Sequence, residues 1–207
     1  MNMSEKTIME TVDVLSMEDM VQAIFHKIEE TRNRIICPYL VAIDGRCASG
    51  KTTLAKKIQE KTGCSVLCMD HYFLRPEQRT KERLHTPGGN VDRERFLEEV
   101  LLPIQKGAKE LTCQAYDCHE QVLLPSFTVK VTPVMLIEGS YSCHPALRPF
   151  YDLCVFLSTG REEQLRRILE RNGEEAVHIF KERWIPMEEN YFVHEEIEKH
   201  CTLHLYT

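Results

Sequence analysis

The eight residues Gly45–Thr52 constrain this chain more than any other segment, because they read G-x-x-x-x-G-K-T, the phosphate-binding loop (P-loop) pattern. An apolar run, Tyr39–Ile43, precedes the pattern and is suited to a buried strand, which Asp44 closes. A helix-like run opens near Lys51. The sequence therefore predicts a strand, a tight loop and a helix in succession, an arrangement that holds a polyphosphate on backbone N–H groups and a helix N-terminus.

The residue types in this loop suit a bound nucleotide. Gly45 and Gly50 permit the turn, because glycine adopts backbone conformations that other residues avoid. Lys51 is expected to neutralise the β- and γ-phosphates of ATP, and Thr52 to bind Mg²⁺. The residues expected to bind ATP are Gly45, Ala48, Ser49, Gly50, Lys51, Thr52 and Thr53. The alternative is an ordinary glycine-rich turn.

Composition limits the class of protein. A length of 207 residues and 43% hydrophobic content suit one α/β domain. The net charge of −6 argues against a nucleic-acid partner. Nine cysteines without zinc-site spacing fit a reduced, cytoplasmic protein. The chain has no basic-flanked apolar leader and no 18-residue apolar stretch, so we expect neither secretion nor a membrane span, and the oligomeric state stays open.

Strand-like and helix-like segments alternate along the chain, which predicts an α/β fold. The core strands are expected at residues 39–43, 64–68, 133–137, 151–157 and 201–206. Such alternation predicts a parallel sheet with helices on both faces and ligands at the carboxyl ends of the strands. Short strand-like runs at residues 110–115 and 121–131 predict a small β insertion.

Helices and one long loop complete this organisation. Ser16 is expected to cap a helix that runs to about Arg34. A second helix is expected from about Asp92 and should end or kink near Pro103. Residues 74–90 are rich in charge, Pro and Gly, so they are expected to form a long excursion.

Two carboxylates follow core strands at the edge where the P-loop is expected. Asp70 comes directly after the second strand and is suited to take a proton from an acceptor hydroxyl. Glu138 ends the third strand and is suited to hold Mg²⁺ together with Thr52. The alternatives are that Asp70 caps a turn and that Glu138 pairs with a neighbouring Arg or Lys.

Four arginines lie on or beside a helix expected near residues 161–172, with a further helix at 174–191. Arg167 and Arg171 are i,i+4 neighbours, so both can point to one side. Their guanidinium groups, on a closing lid, could stabilise a transferring phosphoryl group. Glu163 with Arg167 is also an ordinary helical ion pair, so a solvated face is the alternative.

The order of these motifs resembles the uridine kinase family, within the wider uridine kinase and phosphoribulokinase group. The motifs are, in chain order, the P-loop, Asp70-His71-Tyr72-Phe73, Tyr116-Asp117, Ile137-Glu138-Gly139 and Leu165-Arg166-Arg167-Ile168, within about residues 36–192. The resemblance implies a P-loop NTPase-type parallel sheet with a small β insertion and a helical lid. It also implies an ATP- and Mg²⁺-dependent kinase that phosphorylates a hydroxyl of a small molecule, with a nucleoside such as uridine favoured. A kinase domain is then expected at 35–207, after a helical extension at 1–34.

The same resemblance suggests roles for individual residues. Asn90-Val91-Asp92 is similar to the segment that holds the nucleoside ribose. The expected catalytic residues are Lys51, Asp70, Arg167 and Arg171, the expected substrate-binding residues are Tyr72, Asp92, Tyr116 and Arg166, and the expected metal ligands are Thr52 and Glu138.

The chain departs from the family pattern near the expected acceptor site. In Tyr116-Asp117-Cys118-His119 a Cys replaces an aromatic residue, and the His follows at a shorter interval. These differences indicate a divergent branch whose acceptor need not be a nucleoside. Three functions stay open: a nucleoside kinase, a kinase of another acceptor such as a sugar phosphate or a vitamin precursor, and a nucleotide-binding regulatory module.

Overall fold

A five-stranded parallel sheet lies at the centre of the computed structural model, which describes residues 14–31 and 38–207. The strands, numbered in chain order, are β1 (Tyr39–Gly45), β2 (Ser65–Cys68), β3 (Glu110–Cys113), β4 (Tyr116–Asp117), β5 (Val122–Leu123), β6 (Phe127–Lys130), β7 (Val134–Glu138), β8 (Leu153–Ser158) and β9 (Leu203–Tyr206). The central sheet has the order β2-β7-β1-β8-β9, and its paired strands are parallel. The carboxyl ends of β1, β2 and β7 therefore meet at one edge.

Helices cover both faces of this sheet, as predicted. They are α1 (Met17–Thr31), α2 (Lys51–Thr62), α3 (Lys81–His85), α4 (Arg93–Phe96), α5 (Leu102–Gln105), α6 (Arg161–Asn172), α7 (Glu174–Ile179), α8 (Ile185–His194) and α9 (Ile197–His200). Alternate residues of β1 belong to separate cores, because successive side chains of a strand point to opposite faces. Val41 and Ile43 pack with α1 and α2, whereas Leu40 and Ala42 pack with α4, α5 and α8.

The helix α1 shares a core with the helix that follows the P-loop. Ser16 caps it, since its hydroxyl accepts a hydrogen bond from the backbone N–H of Asp19 at 3.2 Å. Met20, Val21, Ile24 and Ile28 form its buried face. The predicted end near Arg34 lies outside the described residues, and the domain boundary after residue 34 stays a prediction.

Two helices widen into a π-helical turn just before a proline. α4 continues through Leu97–Leu101 into α5, which contains Pro103, and α7 continues through Phe180–Trp184 into α8, which contains Pro186. Proline lacks an N–H and crowds the carbonyl of the preceding turn, so the wider turn accommodates it. The helix expected to end or kink near Pro103 therefore continues to Gln105.

The β insertion and the excursion both occur where they were predicted. β3 pairs with β6 and β4 with β5, each antiparallel. Within residues 74–90 lie a 3₁₀ turn at Pro76–Gln78 and the short helix α3. In the two described ranges, no helix has both the length and the apolar character to span a bilayer.

Candidate active site

A cleft of about 850 Å³ opens beside the carboxyl ends of β1, β2 and β7. Its lining comes from the P-loop, the segment between Asp70 and Asn90, the end of β7 with the loop that follows it, and the helical segment between Arg167 and Glu188. Cys118 of the β insertion, Thr207, and residues at and just before the start of α1, such as Met17 and Leu15, also contribute. The cleft therefore lies at the sheet edge where the sequence predicts ligand binding.

The P-loop forms a tight turn on this cleft. Gly45 has a φ of +130°, and a Cβ at this position would lie 2.0 Å from the carbonyl oxygen of Leu157, so only glycine lets β1 and β8 approach here. The Lys51 ammonium donates hydrogen bonds to the carbonyl oxygens of Gly45 (2.7 Å) and Arg46 (2.8 Å). The predicted ATP-binding residues that line the cleft are Ala48, Ser49, Gly50, Lys51, Thr52 and Thr53. Gly45 itself lies outside the lining.

Asp44, the residue before the first glycine of the motif, connects the P-loop by hydrogen bonds to the loop after β7 and to α8. Its buried carboxylate accepts hydrogen bonds from the backbone N–H groups of Gly45 (2.7 Å), Tyr141 (3.0 Å) and Cys143 (2.8 Å), and from the Tyr191 hydroxyl (2.9 Å). Burial raises the pKa of Asp44 to about 6, because lost hydration outweighs these donors. The group is therefore mostly ionised at neutral pH. Local sequence pattern carries no signal of this role, since three of the four donors are distant in the chain.

Thr52 and Glu138, the two predicted metal ligands, are adjacent in the cleft. The Thr52 hydroxyl donates a hydrogen bond to Glu138 Oε2 at 3.0 Å. Burial raises the pKa of Glu138, and the nearby Asp70 carboxylate raises it further. Across the described part of the chain, no three His, Cys, Asp or Glu side chains are grouped to hold a metal by themselves. A hydroxyl and one carboxylate, completed by phosphate oxygens, nevertheless suit Mg²⁺ held together with a nucleotide.

Asp70 lies on a 3₁₀ turn (Met69–Tyr72) directly after β2, with its side chain exposed in the cleft. Gly139, at the end of β7, lies against this turn. A Cβ on Gly139 would lie 2.9 Å from Met69 Cβ and 3.4 Å from Asp70 Oδ1, and its φ of +131° favours glycine as well. The missing side chain therefore leaves room for the carboxylate, which shares the cleft with Lys51.

The three predicted lid arginines have different surroundings. Arg167 lines the cleft, and one of its Nη atoms donates to the carbonyl oxygen of Ala48 at 3.2 Å, which links α6 to the P-loop. Arg171 also lines the cleft. The side chain of Arg166 is 54% exposed and pairs with Glu163 and Glu170 on its own helix. The structure therefore does not bring Arg166, predicted to bind substrate, to the cleft.

Tyr72, also predicted to bind substrate, is buried in the core. Its hydroxyl donates to a Glu99 carboxylate oxygen at 3.0 Å, and its ring packs edge-on against Phe96 at 4.9 Å. The next residue, Phe73, lines the cleft instead. Sequence alone cannot tell which of two adjacent aromatic residues faces the cleft, because that depends on how the turn packs.

Asp92 and Tyr116, the remaining predicted substrate-binding residues, are buried outside the cleft lining. Asp92 caps α4 by accepting a hydrogen bond from the backbone N–H of Arg95 at 3.1 Å. The Tyr116 hydroxyl accepts a hydrogen bond from Arg79 at 3.5 Å. His119 is 92% exposed and pairs with a neighbouring glutamate. These positions depend on the packing of the excursion and the insertion, which motif matching does not describe.

Glu188 and Ser140 meet in the cleft, although no sequence motif singles them out. Glu188 is 5% exposed; its carboxylate accepts hydrogen bonds from the Cys47 backbone N–H (2.9 Å) and the Ser140 hydroxyl (2.6 Å). This contact holds α8 against the P-loop. No spacing rule connects the three residues, since they lie on separate elements.

A parallel sheet with a P-loop at one edge, a Thr–Glu pair beside it and a further carboxylate in the same cleft is the arrangement of a P-loop kinase. The chain matches no protein-family model. It is 30% identical over 154 residues to the uridine kinase of Ureaplasma parvum serovar 3, which covers 70% of this chain and 73% of that protein. The chain therefore belongs to the uridine kinase family.

Solved structures agree with this fold. The chain is similar to a structure titled as a possible uridine kinase from Bacillus stearothermophilus, with a TM-score of 0.67, 20% identity, and coverage of 92% of this chain and 100% of that one. It is also similar to the D-glycerate 3-kinase of Cryptococcus neoformans var. grubii, with a TM-score of 0.55, 14% identity, and coverage of 86% and 88%. The predicted fold class is thereby confirmed.

Proposed function

We propose that this protein transfers the γ-phosphoryl group of ATP to a hydroxyl group of a small molecule, with Asp70 as the general base. The observation that supports this most directly is the position of the Asp70 carboxylate, exposed in the same cleft as Lys51 and the Thr52–Glu138 pair. A protein that only binds nucleotide has no need of a carboxylate facing an acceptor.

Each group has a distinct task in this reaction. Asp70 takes the proton of the acceptor hydroxyl as its oxygen bonds to the γ-phosphorus, and the bond between that phosphorus and the β-bridging oxygen breaks to leave ADP. Lys51 leaves its loop carbonyls and neutralises the phosphate oxygens, and Arg167 and Arg171 stabilise the transferring group. Thr52 and Glu138 are the residues that would hold Mg²⁺, which would draw negative charge from the phosphates when bound.

Two classes of acceptor are candidates. The relatives' name makes uridine the first nucleoside to assay. A non-nucleoside acceptor is favoured by one observation: Tyr116, expected to bind substrate, and His119, from the same motif, both lie outside the cleft lining. A cytoplasmic location stays a prediction from the composition.

The Asp70→Asn variant tests the proposal, because the amide keeps the size of the side chain but cannot take a proton. We expect kcat to fall by ~10²–10⁴ while the Kd for ATP changes little. The measurement is steady-state ADP release with a working acceptor, together with ATP binding by titration calorimetry.

Glu77→Gln is the matched control, since it makes the same chemical change on an exposed residue of the same segment that does not line the cleft. Its kcat should equal that of the parent. An Asp70→Asn enzyme with near-parental kcat would remove Asp70 from the mechanism, and loss of ATP binding alone would place it at the metal site. A parent protein that binds ATP but phosphorylates no alcohol contradicts the proposed function.

A further inference from the structure

The acceptor side of the cleft contains a positive charge that the reaction does not require. Arg79 lines the cleft on the segment that follows Asp70, together with Phe73, Leu74 and Leu84. Its Nε donates a hydrogen bond to the carbonyl oxygen of Leu74 at 3.0 Å, which holds the guanidinium group against this wall.

This charge has no counter-ion among the residues that the structure describes. Seven other arginines there have a carboxylate oxygen within 4.0 Å: Arg46, Arg75, Arg83, Arg93, Arg95, Arg166 and Arg167. Arg79 shares the lack of one with Arg148, Arg161, Arg171 and Arg183 in the described ranges, and of these Arg171 and Arg183 line the cleft from the helical segment. Among the described residues, the hydrogen-bond acceptors of the Arg79 guanidinium are the Leu74 carbonyl oxygen and the neutral Tyr116 hydroxyl. A guanidinium group aimed at an open cleft and bonded only to neutral groups is suited to bind an anion.

Asn90 provides a second, independent observation on the same wall. It is 8% exposed and lines the cleft, yet its Oδ1 has no hydrogen-bond partner within residues 14–31 and 38–207. Because Leu74 N–H donates to the Asn90 carbonyl oxygen at 3.1 Å, Asn90 is held beside Leu74, whose own carbonyl oxygen accepts from Arg79. A buried amide oxygen without a partner is costly, and a ligand hydroxyl would satisfy it.

Tyr116 and His119, from the motif near the expected acceptor site, do not line this wall. Tyr116 is buried and bonded to Arg79, and His119 is exposed outside the cleft lining. The polar groups that this part of the cleft offers an acceptor include the Asp70 carboxylate, the Asn90 amide and the Arg79 guanidinium, with Cys118, Tyr141 and apolar side chains beside them.

We infer that the acceptor is a small hydroxylated acid, whose carboxylate or phosphate group binds Arg79 and whose second hydroxyl group donates to Asn90. This inference rests on the proposed function, since Asp70 must face the hydroxyl that is phosphorylated. Arg79 is then a specificity-determining residue. It attracts anionic acceptors, and neutral alcohols of the same shape lose that contact.

The test compares acceptors that differ by one anionic group. The sets are glycerol against D-glycerate and glycerol 3-phosphate, pantothenol against pantothenate, and ribose against ribose 5-phosphate, with uridine as the neutral nucleoside. ADP release is measured with ATP and Mg²⁺. Binding is measured separately by calorimetry with Mg²⁺ and the non-hydrolysable analogue AMP-PNP, so that affinity is known without turnover.

We expect at least one acid to bind about tenfold or more tightly than its neutral counterpart. Arg79→Gln should reduce that preference at least about tenfold with the Kd for AMP-PNP unchanged, and Arg79→Lys should retain part of it. Comparison of the affinities of D-glycerate and glycerol 3-phosphate shows whether Arg79 binds a carboxylate or a phosphate group. Arg75→Gln is the matched control, because Arg75 pairs with Glu77 and does not line the cleft.

Circular dichroism and thermal unfolding establish that each variant is folded. If Arg79→Gln does not fold, the preference of Arg79→Lys for acids is compared with that of the parent instead. The inference is overturned if neutral compounds bind as tightly as the acids, if no acid binds, or if Arg79→Gln retains the full preference. Tight, Arg79-dependent binding of an acid without ADP release would support the inference and contradict the proposed function. Turnover that prefers uridine supports the proposed function and contradicts the inference.

Discussion

Replacement of Asp44 by Asn tests whether one buried carboxylate holds the P-loop in place. The two oxygens of Asp44 accept hydrogen bonds from four donors, two at each oxygen. An amide keeps the shape of the side chain but has one acceptor oxygen, so its NH₂ group replaces the other oxygen. The less costly orientation directs NH₂ toward the Tyr191 hydroxyl, which can turn and accept, and leaves only the backbone N–H of Cys143 without an acceptor. One buried donor without an acceptor costs about 1–3 kcal/mol, so the midpoint of thermal unfolding should fall by roughly 2–12 °C.

The Tyr191→Phe variant is the matched control for this network. It removes the hydroxyl donor at 2.9 Å and leaves the three backbone donors on the carboxylate, so we expect a loss of about 1.5–3 kcal/mol. Urea unfolding at neutral pH, followed by circular dichroism, measures both losses, and ADP binding reports on the loop. An Asp44→Asn protein within about 0.5 kcal/mol of the parent would refute the reasoning.

Two further predictions concern the metal site and the effect of pH. Glu138→Gln should weaken the Mg²⁺ dependence of nucleotide binding more than it weakens metal-free binding, because it keeps the contact to Thr52 but removes a charge. If parent and variant show the same Mg²⁺ dependence, Glu138 has a structural role only. Burial lowers the pKa of His144 to about 4, helped by Arg93 and Arg83, so the folded protein resists a proton that the unfolded chain accepts below about pH 6.5. The contribution of His144 to the free energy of unfolding should therefore fall by roughly 3 kcal/mol as pH drops from about 6.5 to 4, while Asp44, whose pKa is raised to about 6, contributes with the opposite sign over the same range. The difference between parent and His144→Phe in acid titrations of stability isolates the His144 part.

Much of the nucleotide side of the site can be predicted from local sequence. The pattern Gly45–Thr52 is a contiguous segment whose conformation follows from its own glycines, the apolar strand before it and the helix after it. Asp70 and Glu138 are predictable for a similar reason. Each ends an apolar strand, and parallel strands of one sheet deliver their carboxyl ends to the same edge. Five parallel strands and the helices on both faces follow from the same alternation of segments.

The acceptor side depends on tertiary packing instead. Tyr72 and Phe73 are adjacent in the chain, yet one is buried in the core and the other lines the cleft. Arg166 and Arg167 are also adjacent, and only Arg167 reaches the cleft, because a helix turns successive side chains by about 100° and the docking of α6 selects one face.

Contacts between distant segments have no signature in the local sequence. Asp44 meets Tyr141, Cys143 and Tyr191 only after the sheet and α8 have assembled. The charge of Arg79 faces the cleft because the excursion folds back on itself and leaves no carboxylate beside it in the described structure. Residue type and spacing therefore determine where phosphate binds, whereas the choice of acceptor depends on which side chains from separate elements the fold turns toward one cleft.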